Sequence, residues 1–175
     1  MTRALLVIDV QMAFKDMDAN GDPRSVPEAE ANIARLIASF RARGEPVIHI
    51  HHHEPTEGDP FHADSPGAVV QPVAAPEVGE DIFIKSTASA FNSTALESHL
   101  KSSGLSELVL CGAQTNYCVE STARSAGDLG FDVTTVSDAI WTYDEAGPDG
   151  VEIAAETIQA VTLMSLSGGF SAIRG

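Results

Sequence analysis

Three residues of different chemistry, far apart in the sequence, stand where apolar segments end. Asp9 closes the run ALLVID, Lys85 closes DIFIK, and Cys118 follows ELVLCG by a short turn. A cysteine in the first turn of a helix and near an ammonium group is expected to favour its thiolate form, which is the nucleophile. An aspartate can carry a proton between this thiol and a leaving group, while a lysine stabilises the anions. These residue types predict nucleophilic catalysis by Cys118 with Asp9 and Lys85.

Each of the three residues also has an ordinary structural role available to it. A lone cysteine is more often a small core residue, an aspartate at a strand end often caps a helix, and a lysine there is usually solvated. Only the convergence of all three on one edge of the fold favours catalysis. That convergence depends on the elements that carry them.

Short apolar runs alternate with segments of helical periodicity along the chain, as in a parallel sheet covered by helices. The continuously apolar run at 4–9 predicts a central strand that is buried on both faces. Further strands are predicted at 46–51, 81–85, 107–112 and 131–139 with a closing run at 170–174, and helices at 28–43, 94–101 and 118–129, with a last helix marked by Val151, Ala154, Ile158 and Val161. The order predicts a three-layer, doubly wound α/β fold with a central, mostly parallel sheet of five to six strands. Ligands of such sheets bind outside the carboxyl ends of the strands, so one rim should carry all three residues.

The composition is typical of a single globular domain, which we expect to span residues 1–175, with 43% apolar and 20% charged residues. The start MTRALLVIDVQ lacks the pattern of a signal peptide, and no apolar stretch is long enough to cross a bilayer. Cys111 and Cys118 make a poor disulfide framework, so a cytoplasmic location is expected. A formal net charge of -15 disfavours nucleic acid and membrane partners. The expected partner is a small-molecule substrate.

Three motifs resemble those of the isochorismatase-like cysteine hydrolases, a family that includes nicotinamidases, other small-amide hydrolases and isochorismatases. They are LLVIDVQMAF at 5–14, IKSTASAFNSTALESHL at 84–100, and LVLCGAQTNYCVESTARSAGDLGFDVTTVSDA at 108–139. The resemblance implies a catalytic aspartate, lysine and cysteine at Asp9, Lys85 and Cys118, the residues that the topology also selects. It also implies a homo-oligomer, a dimer or larger.

The resemblance further implies a cis peptide bond between Ala113 and Gln114, before a residue that is not proline. Its expected use is to aim the backbone N–H groups of Gln114 and Cys118 at the oxygen that becomes negative when the thiolate adds to a carbonyl. This arrangement would be an oxyanion hole. The structural alternative is that GAQTN is simply a tight turn that leads into a helix.

Positions that line or shape the family's pocket match Gln11, Phe14, Phe91 and Tyr117. A core phenylalanine, a surface glutamine and a tyrosine packed against a neighbouring helix are the structural alternatives. Asp138 matches a family position near the end of the fifth strand, where we expect it to cap a helix.

The histidine-rich segment HIHHHEP at 49–55 departs from the family pattern. Nicotinamidases carry a metal-binding aspartate and histidine here, in a pattern resembling DWHP, and this aspartate is missing. Strand alternation sends His49 and His51 to one face, whereas His52 resembles the single histidine of members without the metal and is expected near the substrate. We therefore predict neither a metal nor a cofactor. The loop 54–80 is expected either to cover the pocket or to meet a neighbouring subunit.

The leading prediction is hydrolysis of a small carboxamide or related C–N bond through a Cys118 thioester, by an enzyme other than a nicotinamidase. One alternative is a vinyl ether hydrolase of the isochorismatase type, which works by proton transfer and needs no thiolate. Another is a binding or assembly protein that keeps the scaffold without turnover, with His51 to His53 holding a metal. A flavodoxin-like nucleotide-binding domain is disfavoured because VQMAFKDMDANGD lacks a Gly-rich phosphate loop.

Overall fold

The computed structural model describes residues 2–175 and is built around a parallel sheet. The strands are β1 (Arg3–Ile8), β2 (Val47–His52), β3 (Asp81–Lys85), β4 (Glu107–Ala113), β5 (Asp132–Trp141), β6 (Glu145–Ala146), β7 (Glu152–Ile153) and β8 (Ala172–Arg174). Six of them form the sheet in the order β3-β2-β1-β4-β5-β8, and every neighbouring pair is parallel. β6 and β7 pair only with each other, as an antiparallel hairpin.

Helices cover both faces of the sheet. They are α1 (Ala13–Asn20), α2 (Ala29–Ala42), α3 (Leu96–Ser102), α4 (Glu120–Asp128) and α5 (Ala155–Ser167). Apolar side chains of α1 and α2 form one core with the sheet, and those of α3, α4 and α5 form a second core on the opposite face. The predicted three-layer, doubly wound α/β fold with a six-stranded sheet is confirmed.

β1 lies in the middle of the sheet because its residues suit burial on both sides. Leu5 and Val7 face the core under α2, while Ala4, Leu6 and Ile8 face the other core. All five are at most 2% exposed. The alternation of side chains along a strand thus places apolar groups in both layers, as the uninterrupted apolar run predicts.

The buried face of α5 differs from the prediction. The helix begins only at Ala155, and it buries Gln159 and Thr162, whereas Val161 is 55% exposed. Gln159 faces inward with partners at both ends of its amide: its oxygen accepts from Ser25 and its nitrogen donates to the carbonyl of Ser137. A buried amide with partners is stable, so hydrogen bonding and not apolar spacing sets the orientation of this helix.

The sequence prediction missed α1.

Asp138 does not cap a helix. Asp138 is exposed within β5, and the backbone N–H of Ala155 at the start of α5 instead donates to Asp144 Oδ1 at 2.8 Å. The capping function is present, but it belongs to a later aspartate because β5 continues to Trp141.

The chain changes winding direction between β1 and β4, where the sheet has its topological switch point. These two strands approach closely at Gly112, whose φ is 122°. A Cβ on this residue would lie 1.9 Å from the carbonyl oxygen of Ile8. Glycine therefore allows the two strands to meet immediately before Asp9 and before the turn that leads to Cys118.

Candidate active site

The three residues predicted from the sequence lie together, and Lys85 contacts both of the others. Its Nζ lies 2.7 Å from Asp9 Oδ2, 3.2 Å from Cys118 Sγ and 3.1 Å from His52 Nδ1. An ammonium group has three donors and no acceptor, so each of its N–H bonds has one partner here and Nδ1 of His52 must accept. The lysine side chain is 0% exposed, which fixes the ammonium beneath the strand ends.

Asp9 follows β1 in an unusual backbone conformation. Its φ of 52° is the only positive value among the non-glycine residues of 2–175, a conformation that costs about 1–3 kcal/mol and persists where the surroundings enforce it. The neighbouring strand does so, because the backbone N–H of Asp9 donates to the carbonyl of Ile50 at 2.8 Å. This bend directs the carboxylate to Lys85 at the end of the sheet.

Cys118 lies in a helical segment that starts earlier than the sequence suggests. The chain enters a π-helical turn at Thr115–Val119 and continues as α4 from Glu120, so Cys118 belongs to the turn before the α-helix. The peptide bond between Ala113 and Gln114 is cis, as the resemblance implies, and it directly precedes this turn. The sulfur is half-buried and borders a cavity.

Burial controls the protonation of the acid and the thiol. It raises the pKa of Asp9 above the ordinary 3.8, although the neighbouring Lys85 lowers it. Burial, assisted by the charge of Asp9, raises the pKa of Cys118 to about 12. The raised pKa contradicts the expectation of a favoured thiolate, because burial and the charge of Asp9 outweigh the effect of Lys85. A thiol with a raised pKa has to lose its proton as it reacts.

Asp9 is placed to accept that proton. Only its Oδ2 is bonded to Lys85, and Oδ1 has no hydrogen-bond partner within residues 2–175. The thiol of Cys118 is close enough to Asp9 that each group shifts the pKa of the other. A buried carboxylate with a raised pKa and a free acceptor oxygen is a stronger base than a carboxylate at the surface.

The cavity at Cys118 has a volume of about 340 Å³. Aromatic rings, carboxylates and small polar groups share its walls, and the lining residues are Asp9, Phe14, His52, Glu54, Asp59, Phe61, Ser86, Ala88, Gln114, Tyr117 and Cys118. This volume suits a small molecule. Larger hollows occur elsewhere on the surface, but the one that opens next to the thiol is the relevant one for chemistry at Cys118.

His52 lies at the cavity, while its neighbours in the histidine run lie elsewhere. Burial and the charge of Lys85 lower the pKa of His52, so its ring is neutral when it accepts from the ammonium. His49 and His51 share the opposite face with ring centroids 6.3 Å apart, and His49 Nε2 is 2.9 Å from Glu80. Within residues 2–175, no three His, Cys, Asp or Glu side chains are grouped so that they could hold a metal ion.

Gln11 and Phe91 do not line the cavity. Gln11 is 0% exposed, and its amide donates to the carbonyl of His52 at 2.9 Å and accepts from the N–H of His52 at 2.7 Å. It therefore ties the end of β2 to the segment after β1. The Phe91 ring packs 5.8 Å from the ring of Phe131 in the core under α4. Phe14 and Tyr117 are found at the cavity.

Sequence reasoning missed the two carboxylates at the cavity. Glu54 and Asp59 belong to the loop that follows β2, which was expected either to cover the pocket or to meet a neighbouring subunit. Glu54 comes two residues after the end of a strand, and this is the one signal that could have found it. Tyr117 is held from outside the cavity, because its hydroxyl donates to Glu145 at 2.7 Å.

The sequence profile of the isochorismatase domain family matches residues 3–165. An isochorismatase family protein of Bacillus subtilis is 32% identical over 171 residues, which cover 98% of this chain and 90% of the relative. Nicotinamidase 3 of Arabidopsis thaliana is 30% identical over 96% of this chain and 82% of its own length. The crystal structure of an isochorismatase family protein from Chromobacterium violaceum superposes with a TM-score of 0.94 at 36% identity, covering 99% of this chain and 89% of that protein.

By themselves, the fold and the cavity define a doubly wound α/β protein with a cavity at its switch point. The profile match and the relatives are more specific, since they extend over almost the whole chain. The chain belongs to the isochorismatase family and is a hydrolase. None of its helices within residues 2–175 is long and apolar enough to span a membrane.

Proposed function

We propose that this hydrolase cleaves a small carboxamide or a related C–N bond, with Cys118 as nucleophile and a thioester as intermediate. The single observation that supports it most is the position of Lys85, whose ammonium holds Asp9 Oδ2 at 2.7 Å and Cys118 Sγ at 3.2 Å beside a cavity. A base, a nucleophile and a cation within hydrogen-bond distance are the parts that covalent hydrolysis requires.

In the first half-reaction, Asp9 takes the thiol proton of Cys118 while the sulfur adds to the amide carbon. The raised pKa values of both groups favour transfer during the attack over a standing thiolate. Asp9 then gives this proton to the nitrogen, the C–N bond breaks, and ammonia or an amine departs. The acyl group remains on Cys118.

In the second half-reaction, a water molecule attacks the thioester. Asp9 takes a proton from this water and returns one to the sulfur, so that the carboxylic acid is released and the thiol is restored. Lys85 takes no part in these proton transfers. Its three hydrogen bonds hold Asp9, Cys118 and His52 in place and offset the negative charge that moves between oxygen and sulfur.

The oxygen of the tetrahedral intermediate needs donors, and we assign this role to the backbone N–H groups of Gln114 and Cys118. Gln114 lines the cavity and is the residue immediately before the helical turn that carries Cys118. N–H groups at the start of a helix lack partners within the helix and point outward. These donors would stabilise charge only when the carbonyl becomes an oxyanion.

Amide hydrolysis accounts for Cys118 better than vinyl ether hydrolysis does. Proton transfer to a vinyl ether needs no sulfur, whereas a thiol beside a free carboxylate oxygen is placed for addition to a carbonyl. A nicotinamidase is among the relatives, but this chain has HHHEP where a metal-binding aspartate would stand in the nicotinamidase pattern. We therefore place the substrate among other small amides.

Release of ammonia from a panel of small carboxamides tests the proposal. Cys118→Ala should abolish release because the acyl intermediate forms on the sulfur of Cys118. Cys111→Ala is the matched control, since Cys111 is 0% exposed in β4 and does not line the cavity. Unchanged release by the Cys118→Ala protein would refute the covalent mechanism, and failure of the native protein on every amide would refute amide hydrolysis.

We further propose that residues 1–175 work as a single hydrolase domain, as a homo-oligomer, in the reducing cytoplasm. Both cysteines are free thiols, and the reaction requires Cys118 to stay reduced. Apolar side chains exposed on α5, such as Val161 and Met164, supply a surface that a second copy could cover. Sedimentation of the purified protein would reveal a monomer if this is wrong.

A further inference from the structure

The accessible charges of the cavity are all negative. Glu54 and Asp59 line it as half-buried carboxylates. The ammonium of Lys85 cannot offset them toward a ligand, because its side chain is 0% exposed and is paired with Asp9. His52, the remaining basic side chain of the lining, has a lowered pKa and is neutral. A ligand in this cavity therefore meets anions without an accessible cation among the lining residues.

Three aromatic rings share the cavity with these carboxylates. Phe14, Phe61 and Tyr117 line it, and the rings of Phe14 and Phe61 meet edge to face with centroids 5.2 Å apart. The faces of aromatic rings attract cations through their quadrupole. Aromatic rings combined with carboxylates form the chemical environment that favours an organic cation over an anion or a neutral chain.

The backbone of Phe61 joins the acids and the rings into one built unit. Its carbonyl accepts from the N–H of Glu54 at 3.1 Å, and its N–H donates to Asp59 Oδ1 at 2.7 Å. Its ring lies 5.7 Å from the ring of His52. The loop therefore presents both carboxylates from a fixed position and does not carry them as freely solvated side chains.

This unit lies close to the reacting groups. Since Nδ1 of His52 accepts from Lys85, its proton is on Nε2, which is 3.5 Å from Glu54 Oε2. One imidazole ring thus separates Glu54 from the lysine that touches the nucleophile. Asp9, which is 1% exposed, also lines this cavity, and its Oδ1 has no partner within residues 2–175.

From this arrangement we infer that the substrate is a small amide whose other end carries a positive charge, an ammonium or guanidinium group held by Glu54, Asp59 and the aromatic rings. The inference rests on the proposed function and names its substrate class. The amide carbon would lie at Cys118 while the cation lies against the loop at Phe61. A carboxylate-bearing substrate is disfavoured, both by these two acids and by the net charge of -15.

Three amides with the same four-methylene chain test the inference: δ-aminovaleramide, which is cationic, hexanamide, which is neutral, and adipamic acid, which is anionic. Binding is measured by calorimetry on the Cys118→Ala protein, which keeps the carboxylates and the rings but lacks the nucleophile. We expect δ-aminovaleramide to bind about tenfold more tightly than hexanamide, and adipamic acid to bind most weakly. Equal binding of the three, tighter binding of adipamic acid, or no binding of the cation would overturn the inference.

A second variant separates the cavity from the general charge of the protein. In the Cys118→Ala background, Glu54→Gln should remove most of the preference for δ-aminovaleramide over hexanamide. Glu57→Gln removes the same charge from the same loop at an exposed position outside this cavity, and it should keep the preference. An equal loss in both variants would overturn the assignment to Glu54. Thermal melting of each variant confirms that it is folded.

The binding experiment and the ammonia-release assay can refute the two proposals separately. Selective binding of the cation without ammonia release by the native protein would leave the charge preference standing and refute amide hydrolysis. Ammonia release from all three amides at equal kcat/KM would support hydrolysis and refute the charge preference.

Discussion

Two clusters of charged side chains in this protein have opposite effects on their carboxylates. In the cluster at α1 and α2, Asp18 is bonded to Lys15, Arg24 and Tyr143, and these donors lower its pKa despite partial burial. In the cluster at the switch point, Asp9 is paired with Lys85, and burial raises its pKa despite this cation. Hydrogen-bond donors lower the pKa of a carboxylate and burial raises it, so the balance between them decides the direction of the pKa shift.

The difference distinguishes a structural ion network from a reactive one. Asp18 and Glu30 have lowered pKa values and stay ionised, so they tie α1 to α2 through Lys15 and Arg24. Asp9 keeps an oxygen without a partner and binds a proton more readily. Proton transfer requires a carboxylate with a raised pKa, in a cavity and beside a nucleophile.

Replacing the lysine of each cluster by methionine should give the largest contrast. Lys85→Met removes the charge that holds Asp9 and Cys118, and we expect kcat/KM to fall about a thousandfold. Lys15→Met should leave kcat/KM close to the native value. Because Lys15 is 39% exposed, its ion pairs are screened and their loss should lower the free energy of unfolding by about 1 kcal/mol or less. Comparable loss of activity in both variants, with both folded, would contradict the distinction.

The two clusters should also respond to acid in different pH ranges. The pKa of Asp9 is raised above 3.8, so kcat/KM should fall as the pH drops through this raised value and the base becomes protonated. The pKa values of Asp18 and Glu30 are lowered from 3.8 and 4.5, so their contribution to stability is present above these values and is lost only at lower pH. We therefore expect a pH range in which the protein is folded and inactive.

Rate measurements and denaturant melts at the same series of pH values check this expectation. Asp18→Asn is the control, because it should weaken the acid dependence of the free energy of unfolding and leave the pH profile of kcat/KM in place. Loss of activity and loss of stability at one common pH would show that Asp9 does not titrate separately.

The smallest effect is expected at His52, which acts through Lys85. His52→Ala leaves one N–H of the buried ammonium without an acceptor, and we expect kcat/KM to fall about tenfold. The acid limb of the pH profile should shift to higher pH as well, because His52 in its protonated form lowers the pKa of Asp9 and the substitution removes this effect. A tenfold loss with an unmoved profile would indicate that His52 has only a packing role.

Asp9, Lys85 and Cys118 could be found from the sequence because strand ends are readable and parallel strands bring their carboxyl ends to one rim. Gln11 could not be placed in the same way. Its amide bonds the backbone of His52, and nothing in the neighbouring sequence indicates a partner 41 residues away. Phe91 fits either a pocket or a core by its residue type, and packing against Phe131 decides between them.

Quantities that depend on burial could not be predicted from the sequence either. The raised pKa of Cys118 arises mainly from desolvation, which a reading of helix ends and nearby charges leaves out. The inward face of α5 depends on partners for Gln159 that lie in other parts of the chain. Glu54 and Asp59 are joined through the backbone of Phe61, which is bonded to both of them, and residue type does not indicate this.

Mass spectrometry of the protein quenched in acid during amide turnover tests the central claim most directly. The account predicts that the acyl part of the substrate is attached to Cys118, that it is found on no other peptide, and that it disappears when the substrate is consumed. An unmodified Cys118 during rapid turnover, together with continued hydrolysis by the Cys118→Ala protein, would contradict it.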